Sequence, residues 1–439
     1  MASRSEELRA HRFAMRRLLG AMVSQRSDAA VPQMRRAGGA VGAGVAIAVL
    51  SLGVVAAIGL ISPKAPDWRR SDAVIVEKET GARFVYLDGV LHPVLNYTSA
   101  RLIVGGGGTT VSVSHADLAS TQRGTPLGIP GAPDSLPDAA DLFTGGWSVC
   151  TDSDATNRAL IAGGISGGRS LGDDGVYGRT SNGDQYLIWH NRRYLIADPR
   201  VVVPVPLKGA GSPRSVPDVV INALPPGSDL KAIPIEGGQP SSVGNLTTGT
   251  VVYTGDGDQR VYGLVRPNDI AIVTLLQKDI LGDEGTGAAI HVDQQVFDGA
   301  APSLGVGSDW PAQAPTFAST DTSLCVGLTA AGAVSGISVG ARVPPGSEQV
   351  ADQSRLVVPG GRAALVRAAA SPGSSGTVAA APTYLLTDDG ERFPIADADS
   401  LASLGYASAK VLTLPSDVVD TVPTGVVLSR TAAQKTGGS

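Results

Sequence analysis

The hydrophobic and polar positions divide the chain into three stretches with different periodicities. Between Leu8 and Met22, apolar side chains recur at roughly helical spacing while arginines lie largely on other faces, which predicts an amphipathic basic helix. Residues 37–62 then contain no charged side chain and consist of Ala, Val, Gly, Leu, Ile and two Ser. Because about 20 such residues span the hydrocarbon core of a bilayer, this segment predicts a transmembrane helix.

A buried core helix and a cleaved signal peptide both fit the apolar segment less well. A buried core helix rarely continues for 26 residues without one polar face. A cleaved signal peptide has an apolar region of only about 7–15 residues, preceded by a short charged region. We therefore expect an uncleaved, single-pass signal anchor, with the basic arm, residues 1–36, in the cytoplasm and residues 63–439 exported to the other side of the membrane.

Beyond Trp68 the pattern becomes that of short strands interrupted by Gly, Pro, Asp and Asn. Dipeptides such as Asp88-Gly89 and Asn182-Gly183 favour hairpin turns because they tolerate positive φ. The pattern predicts strands at Val74–Val76, Phe84–Leu87, Tyr186–Trp189, Val201–Val205, Val251–Tyr253, Ile270–Leu276 and Tyr384–Leu386. It also predicts one short helix over Asp397–Leu404.

Four short segments of this exported part resemble one another. They are Gly81-Ala82-Arg83-Phe84, Gly183-Asp184-Gln185-Tyr186, Gly257-Asp258-Gln259-Arg260 and Gly390-Glu391-Arg392-Phe393. Their unequal spacing argues against a tandem solenoid and favours duplicated modules separated by insertions; chance similarity among Gly-rich hairpins is the alternative.

The expected fold class is therefore mainly β (α+β), with four similar β-rich modules around a central β-rich domain, after the amino-terminal transmembrane helix. The modules are expected near residues 70–120, 173–215, 245–285 and 378–420, and the central domain near 140–172 and 285–345.

Composition and charge narrow the function classes. Hydrophobic residues make up 43% of the chain but aromatic residues only 4%, so the cores must be aliphatic. Residues 1–36 carry eight Arg against three acidic residues, a formal charge of +5; the other 27 basic and 37 acidic residues give -10. Because phosphate contacts need clustered Lys and Arg, the acidic main body argues against nucleic-acid binding.

The two cysteines, Cys150 and Cys325, both follow the predicted membrane segment. An even number of cysteines outside the cytoplasm favours a disulfide over the alternative of two buried thiols.

The sequence nominates no catalytic or metal-binding residue. G-x-S-x-G, the pattern around the nucleophilic serine of many hydrolases, occurs at residues 164–168 and 336–340. Neither match has a convincing helix after it, and no His follows His291. No Lys follows a Gly, so a Walker A phosphate loop is absent, and the five His show no i,i+4 metal-binding pair. We therefore expect no intrinsic catalysis and no bound cofactor.

An ordered set of short motifs resembles a known family. The arm carries His11-Arg12-Phe13 followed by Arg16-Arg17, and Met34-Arg35 precedes the apolar segment. Leu91-His92-Pro93-Val94-Leu95-Asn96 and Ser99-Ala100-Arg101-Leu102 come after it. This set resembles EccB, the single-pass membrane component of the type VII (ESX) secretion system of actinobacteria.

The resemblance implies a location in the cytoplasmic (inner) membrane, with residues 63–439 as a periplasmic part that has four modules and a central domain with one disulfide. It also implies homo-oligomers, hexameric in the complex, assembled with EccC, EccD and EccE-like membrane subunits beside a mycosin protease. The leading hypothesis is thus a structural component of the secretion channel. Some EccB proteins are described as ATPases, so one alternative is ATP hydrolysis without a Walker motif. The other alternative is a cell-wall-binding module.

Overall fold

A computed structural model describes residues 4–24, 34–61, 67–283, 288–344, 354–374 and 381–436. The chain divides into two compact units, Met1–Asp67 and Trp68–Ser439. Each is described by itself below.

The amino-terminal unit contains helices α1 (Arg4–Ser24) and α2 (Met34–Ile61). Helix α1 covers the stretch in which an amphipathic helix is predicted, and its apolar side chains, among them Phe13 and Met22, are exposed. The side chains of α2 are described between residues 39 and 54. In the described part of the chain, no helix has the length and hydrophobicity needed to cross a membrane. The transmembrane segment at residues 37–62 therefore stays a prediction.

The main unit is built from one central six-stranded sheet and four four-stranded sheets. The first sheet comprises β1 (Ala73–Glu77), β2 (Arg83–Leu87), β3 (Val90–Pro93) and β4 (Thr109–Val113). The central sheet takes β5 (Trp147–Thr151), β6 (Arg158–Ala162) and β7 (Gly167–Ser170), and later β16 (Leu324–Leu328), β17 (Val334–Ala341) and β18 (Arg355–Val357). The second sheet comprises β8 (Val176–Arg179), β9 (Gln185–Trp189), β10 (Arg192–Leu195) and β11 (Arg214–Ser215). The third comprises β12 (Val251–Thr254), β13 (Val261–Val265), β14 (Ile270–Val273) and β15 (Ile290–His291), and the fourth β19 (Ala363–Ala369), β20 (Thr383–Thr387), β21 (Arg392–Ile395) and β22 (Leu412–Pro415).

The four smaller sheets share one topology. In each, three consecutive strands pair antiparallel, and a fourth returns parallel to the first strand on its free edge. A fourth strand that runs parallel to the first needs a crossover connection, because a tight hairpin reverses the chain direction. Each crossover contains a helix: α3 (Tyr97–Val104), α5 (Pro199–Val202), α7 (Leu275–Asp283) and α8 (Ala398–Ser403). The remaining helices follow the fourth strands: α4 (His115–Leu118), α6 (Asp218–Asn222), α9 (Ser416–Val419) and α10 (Arg430–Ala433).

After the fourth strand, the chain comes back along the outer edge of the third strand. We call these stretches the return segments; they bridge Leu91 with Arg123, Arg193 with Pro226, Ala271 with Ala301, and Arg392 with Thr424. Each bridge is parallel. The return segments thereby cover an edge of each sheet that would otherwise expose unpaired backbone groups.

Buried side chains join the sheets in a fixed pattern. One core combines the first and fourth sheets and includes Val85 and Leu385. A second combines the second and third sheets and includes Leu187 and Leu264. The largest core gathers the central, second and fourth sheets, with Val149 among its members. The central sheet therefore connects the two pairs.

Some sequence-based expectations need correction. Val201–Val205, predicted as a strand, begins inside helix α5, because Pro199 sets a helical φ and the Val202 N–H donates to the Asp198 carbonyl. Ile270–Leu276, predicted as one strand, is a strand only as far as Val273, because the Thr274 hydroxyl accepts from the Gln277 N–H and starts helix α7. Gly81, Gly183 and Gly257 lie in the first hairpin of their sheets, but Gly390 lies in the second hairpin of the fourth sheet. That segment therefore lies one strand later in its sheet than the other three segments do in theirs.

The pairing also divides the segment 285–345, which the sequence pattern places in the central domain. Ile290–His291 pairs with the third sheet, whereas Leu324–Ala341 belongs to the central sheet. Arg355–Val357, beyond the expected boundary, adds the outer strand next to β6. Local periodicity does not determine which distant strand a segment joins, so the sequence alone could not make this division.

Candidate functional site

The two cysteines meet at the middle of the central sheet. Cys150 on β5 lies directly opposite Cys325 on β16, with their Cα atoms 4.1 Å apart, and the two side chains form a disulfide. Both are almost fully buried. The bond closes a loop across a separation of 175 residues that contains the entire second and third sheets. In the chain-entropy account, a closure of this length stabilises the fold by about 5 kcal/mol.

The central sheet is buried on both faces at β5. Every residue of β5 is buried. Trp147 and Val149 face the large core shared with the second and fourth sheets. Cys150 points the other way, into a small cluster that includes Ala159 and Ile161. The disulfide therefore occupies a small apolar cluster away from solvent, which suits a structural bond better than a reactive thiol pair.

A buried arginine links the second sheet to the central sheet. The Arg214 side chain, on β11, donates from Nη2 to the backbone carbonyl of Asp152, directly after β5, at 3.0 Å. Burial lowers the pKa of Arg214, and the charge of Asp152 opposes that shift. Because β11 is only two residues long, this contact supplements a short strand pairing.

Asn96, Ser99 and Arg101, which carry part of the family resemblance, make structural contacts in the first sheet. Asn96 caps α3 by accepting a hydrogen bond from the Ser99 N–H at 2.9 Å, and its amide donates to the Ile129 carbonyl at 2.8 Å. The Ser99 hydroxyl accepts from the Ile129 N–H at 2.9 Å. Arg101 donates to the Gly108 carbonyl at 2.6 Å. The two contacts to Ile129 tie the crossover helix to the return segment, and the Arg101 contact closes the crossover before β4.

The fourth sheet repeats this arrangement with different residue types. Asp397 caps α8 by accepting from the Ser400 N–H at 2.7 Å, and hydrogen bonds from Ser400 lower the pKa of Asp397. The Ser400 hydroxyl accepts from the Arg430 N–H at 3.1 Å. The helix predicted from the sequence over Asp397–Leu404 is thus confirmed as α8 with its cap.

A close contact between a glycine and an aromatic ring recurs in three sheets. A Cβ placed on Gly227 would lie 2.2 Å from the Tyr194 ring, and one on Gly425 would lie 2.3 Å from the Phe393 ring. In the first sheet, a Cβ placed on Gly124 would lie 2.4 Å from the His92 ring. In each case the glycine is on the return segment and the ring is on the third strand. Only a residue without a side chain allows the backbone to approach the ring so closely.

Sequence reasoning missed these glycines because the return segments look like Pro/Gly-rich loops. A signal was present, since Pro126, Pro226 and Pro423 each lie within two residues of the contact glycine. Recognising it requires the three segments to be aligned on their third strands, an alignment that the Gly390 offset obscured.

The candidate catalytic motifs show no catalytic arrangement. The two G-x-S-x-G segments lie side by side at the β7 edge of the central sheet, where Ala341 pairs with Gly167. Neither serine stands at a turn from a strand into a helix, as a nucleophile elbow requires. Across the described ranges, no group of three His, Cys, Asp or Glu side chains is close enough to hold a metal ion.

Comparisons with known proteins agree in pointing to one family. The family model described as "Type VII secretion system ESX-1, transport TM domain B" matches residues 2–437. "ESX-2 secretion system ATPase EccB2" of Mycobacterium tuberculosis is 29% identical over 409 residues, covering 82% of this chain and 81% of the relative. "ESX-3 secretion system ATPase EccB3" of the same species is 33% identical over 251 residues, covering 53% of this chain and 46% of the relative.

Solved structures share the fold. A chain of the "intact ESX-5 inner membrane complex" superposes with a TM-score of 0.68 at 23% identity, covering 100% of this chain and 96% of that one. A chain of the "EccB3 dimer from the ESX-3 core complex" superposes with a TM-score of 0.64 at 24% identity, covering 83% and 100%. At this level of identity, the likeness establishes the fold and nothing finer.

Proposed function

The chain belongs to the EccB family of type VII (ESX) secretion proteins, and from that membership we propose that it is a structural component of an ESX inner-membrane complex. One observation carries the proposal: the family match extends over residues 2–437, from the basic arm through all five sheets. Similarity confined to one sheet would leave the role of the whole chain open.

The proposal places residues 37–62 across the membrane, the arm of residues 1–36 in the cytoplasm and residues 63–439 in the periplasm. Its support is the uncharged 26-residue segment, the eight arginines before it and the disulfide after it. Exposed apolar side chains on α1, Leu18 and Met22 among them, give the arm a surface for lipid headgroups or a cytoplasmic partner.

The four small sheets are proposed to be four duplicated modules around the central domain. They share strand order and a parallel return segment, and three of them share the glycine–ring contact. Neighbouring modules bury faces on one another within this chain, and the same kind of surface is suited to contacts between copies.

We propose as partners EccC, EccD and EccE-like membrane subunits, a mycosin protease, and further copies of this chain, six in the complete assembly. The support is the family membership together with the similar structures, which are described as an ESX-5 inner membrane complex and an EccB3 dimer.

ATP hydrolysis is the second candidate function, favoured by the names of the relatives, which call them ATPases. A phosphate-binding Lys in a Gly-rich loop would be expected for a conventional nucleotide site. Since no Lys follows a Gly in this sequence, such a site would need another design.

Affinity purification of the tagged full chain from gently solubilised native membranes separates the two functions. If the chain is a structural component, we expect a large assembly on native electrophoresis that contains an EccC-type motor ATPase and a multi-pass subunit. We also expect the purified chain alone to hydrolyse no ATP above a heat-denatured control. Recovery of a monomer or homodimer alone, with ATPase activity, would favour the enzyme.

A further inference from the structure

A cleft of about 280 Å³ lies where the second sheet meets the edge of the central sheet. The turn between β9 and β10 supplies His190 and Asn191 on one side. The central sheet and the turn after β7 supply the other wall, with Ser170, Leu171, Ser335 and Ile337. Two separately folded sheets therefore contribute to one depression.

The His190 ring is held in place from two directions. It stacks on Trp189 with ring centroids 3.6 Å apart and planes 13° from parallel. Its Nε2 lies 2.7 Å from the Asp173 carboxylate, and the Trp189 indole donates to the Asp173 carbonyl at 3.2 Å. When Nε2 carries the proton toward Asp173, Nδ1 of the neutral ring is left as an acceptor. Among the described residues, no partner occupies Nδ1.

The backbone of this turn is costly to form. His190 and Asn191 both have positive φ, 46° and 61°. The equivalent two-residue turn of the first sheet is Asp88-Gly89, the residue pair that such turns favour. A histidine in the left-handed region is uncommon and costs on the order of 1 kcal/mol. The turn therefore presents an imidazole and an amide to the cleft from a backbone conformation that histidine seldom adopts.

The lining is polar but carries no formal charge of its own. Two serine hydroxyls, one amide and one imidazole stand against the apolar Leu171 and Ile337. The nearby carboxylates are engaged, Asp173 with His190 and Asp174 with Arg169 at 2.6 Å. A neutral sugar ring is complementary to this surface, because it offers hydroxyl groups to the polar side chains and C–H groups to Leu171 and Ile337.

We infer that this cleft binds one ring of a neutral carbohydrate. The volume lies just under the range of about 300–1,000 Å³ that holds drug-sized ligands, which suits a single ring. The Leu171 N–H donates to the Ile337 carbonyl at 2.8 Å, which holds together the central-sheet wall of the cleft, and His190 and Asn191 of the second sheet form the opposite wall. A bound sugar would therefore bridge the second sheet and the central sheet. This inference does not depend on assembly with other subunits.

Saturation-transfer NMR on the full chain tests the inference. The protein is held in a detergent without a sugar headgroup, so that the detergent does not compete. The probes are N-acetylglucosamine and methyl β-glucoside, with glucuronate as a charged comparison. We expect saturation of the ring C–H protons of the neutral probes, and affinity about tenfold weaker in His190→Asn, a loss of about 1.4 kcal/mol. Asparagine tolerates positive φ, so this variant keeps the turn.

Two further variants make the result decisive. Asn191→Gly removes the amide and keeps a residue that tolerates positive φ, so it should weaken binding while the fold is retained. Asp88→Asn changes the equivalent turn of the first sheet and should bind like the unmodified chain. The inference is overturned if the neutral probes show no saturation at about 10 mM, a concentration that detects even weak sites. It is equally overturned if glucuronate alone binds, or if both cleft variants bind normally.

Discussion

At the scale of single residues, the most informative positions are the glycines that face a ring on the third strand. Tyr194 is 1% exposed and its hydroxyl donates to the Asp309 carbonyl at 2.9 Å, so its ring cannot move aside. Phe393 is similarly enclosed. His92 is only partly buried and can adjust. The same contact is therefore rigid in two sheets and adaptable in the first.

This difference predicts graded effects of adding one methyl group. Gly227→Ala and Gly425→Ala should each lower the free energy of unfolding by about 1–3 kcal/mol, because the ring or the return segment must shift. Gly124→Ala should cost clearly less. Chemical denaturation of the three variants measures the differences. Equal effects at all three positions would contradict the packing account.

A buried carboxylate makes the first sheet sensitive to acid. Hydrogen bonds from Thr80 and then from His115 lower the pKa of Glu77, whose side chain is 6% exposed. Since its pKa is lower in the folded state, Glu77 stabilises the fold at pH values above its usual value of 4.5. That contribution is lost as the pH falls through the lowered folded-state value.

Glu77→Gln should therefore reduce the dependence of unfolding free energy on pH in the range below 4.5. Unfolding midpoints measured across that range would show a flatter profile than in the unmodified chain. Glu236 is exposed and lies in the return segment of the second sheet. Glu236→Gln is therefore the matched control and should leave the profile unchanged. A profile for Glu77→Gln parallel to the original would refute the role of the carboxylate.

At the scale of elements, sequence patterns located strands better than they located pairings. Val74–Val76 and Tyr384–Leu386 lie inside β1 and β20, because β-branched and aromatic residues between turn signals fit a half-buried strand. Val201–Val205 failed because Pro199 began a helix that the valines alone do not favour. The partners of β15 and β18 are set by contacts far away in sequence, which no local pattern contains.

For the candidate site too, the sequence indicated some features and the structure was needed for others. Cysteine number and expected compartment indicated a bond between Cys150 and Cys325, since only one pairing exists within the chain. Their placement at directly opposed positions of β5 and β16 required the structure. The caps at Asn96 and Asp397 were visible as residue types, but their serine partners gained meaning only once the return segments were located.

The disulfide is the element-level feature with the largest expected effect. Replacing both Cys150 and Cys325 with Ala should lower the free energy of unfolding by up to about 5 kcal/mol, because the open loop regains entropy when unfolded. Denaturation of the unmodified chain under reducing conditions should give the same midpoint as the double variant. A double variant as stable as the oxidised chain would show that strand pairing alone holds the central sheet.

At the scale of the whole molecule, the main unit is an arrangement of interlocked sheets. The second and third sheets lie inside the disulfide loop and the first and fourth outside it. The central sheet packs on members of both pairs. Asn96 and His92, two of the residues that carry the family resemblance, cap the crossover helix and contact the return segment of the first sheet. This architecture is suited to holding other proteins in position.

Removal of this chain from its host cell tests that central claim most directly. The measurement is native electrophoresis of the solubilised membrane, with the EccC-type motor subunit followed by antibody, in cells with and without the gene. We expect the large assembly to disappear without the chain and to return when the full chain is supplied. If the assembly persists at full size while secretion stops, the chain contributes an activity rather than the framework.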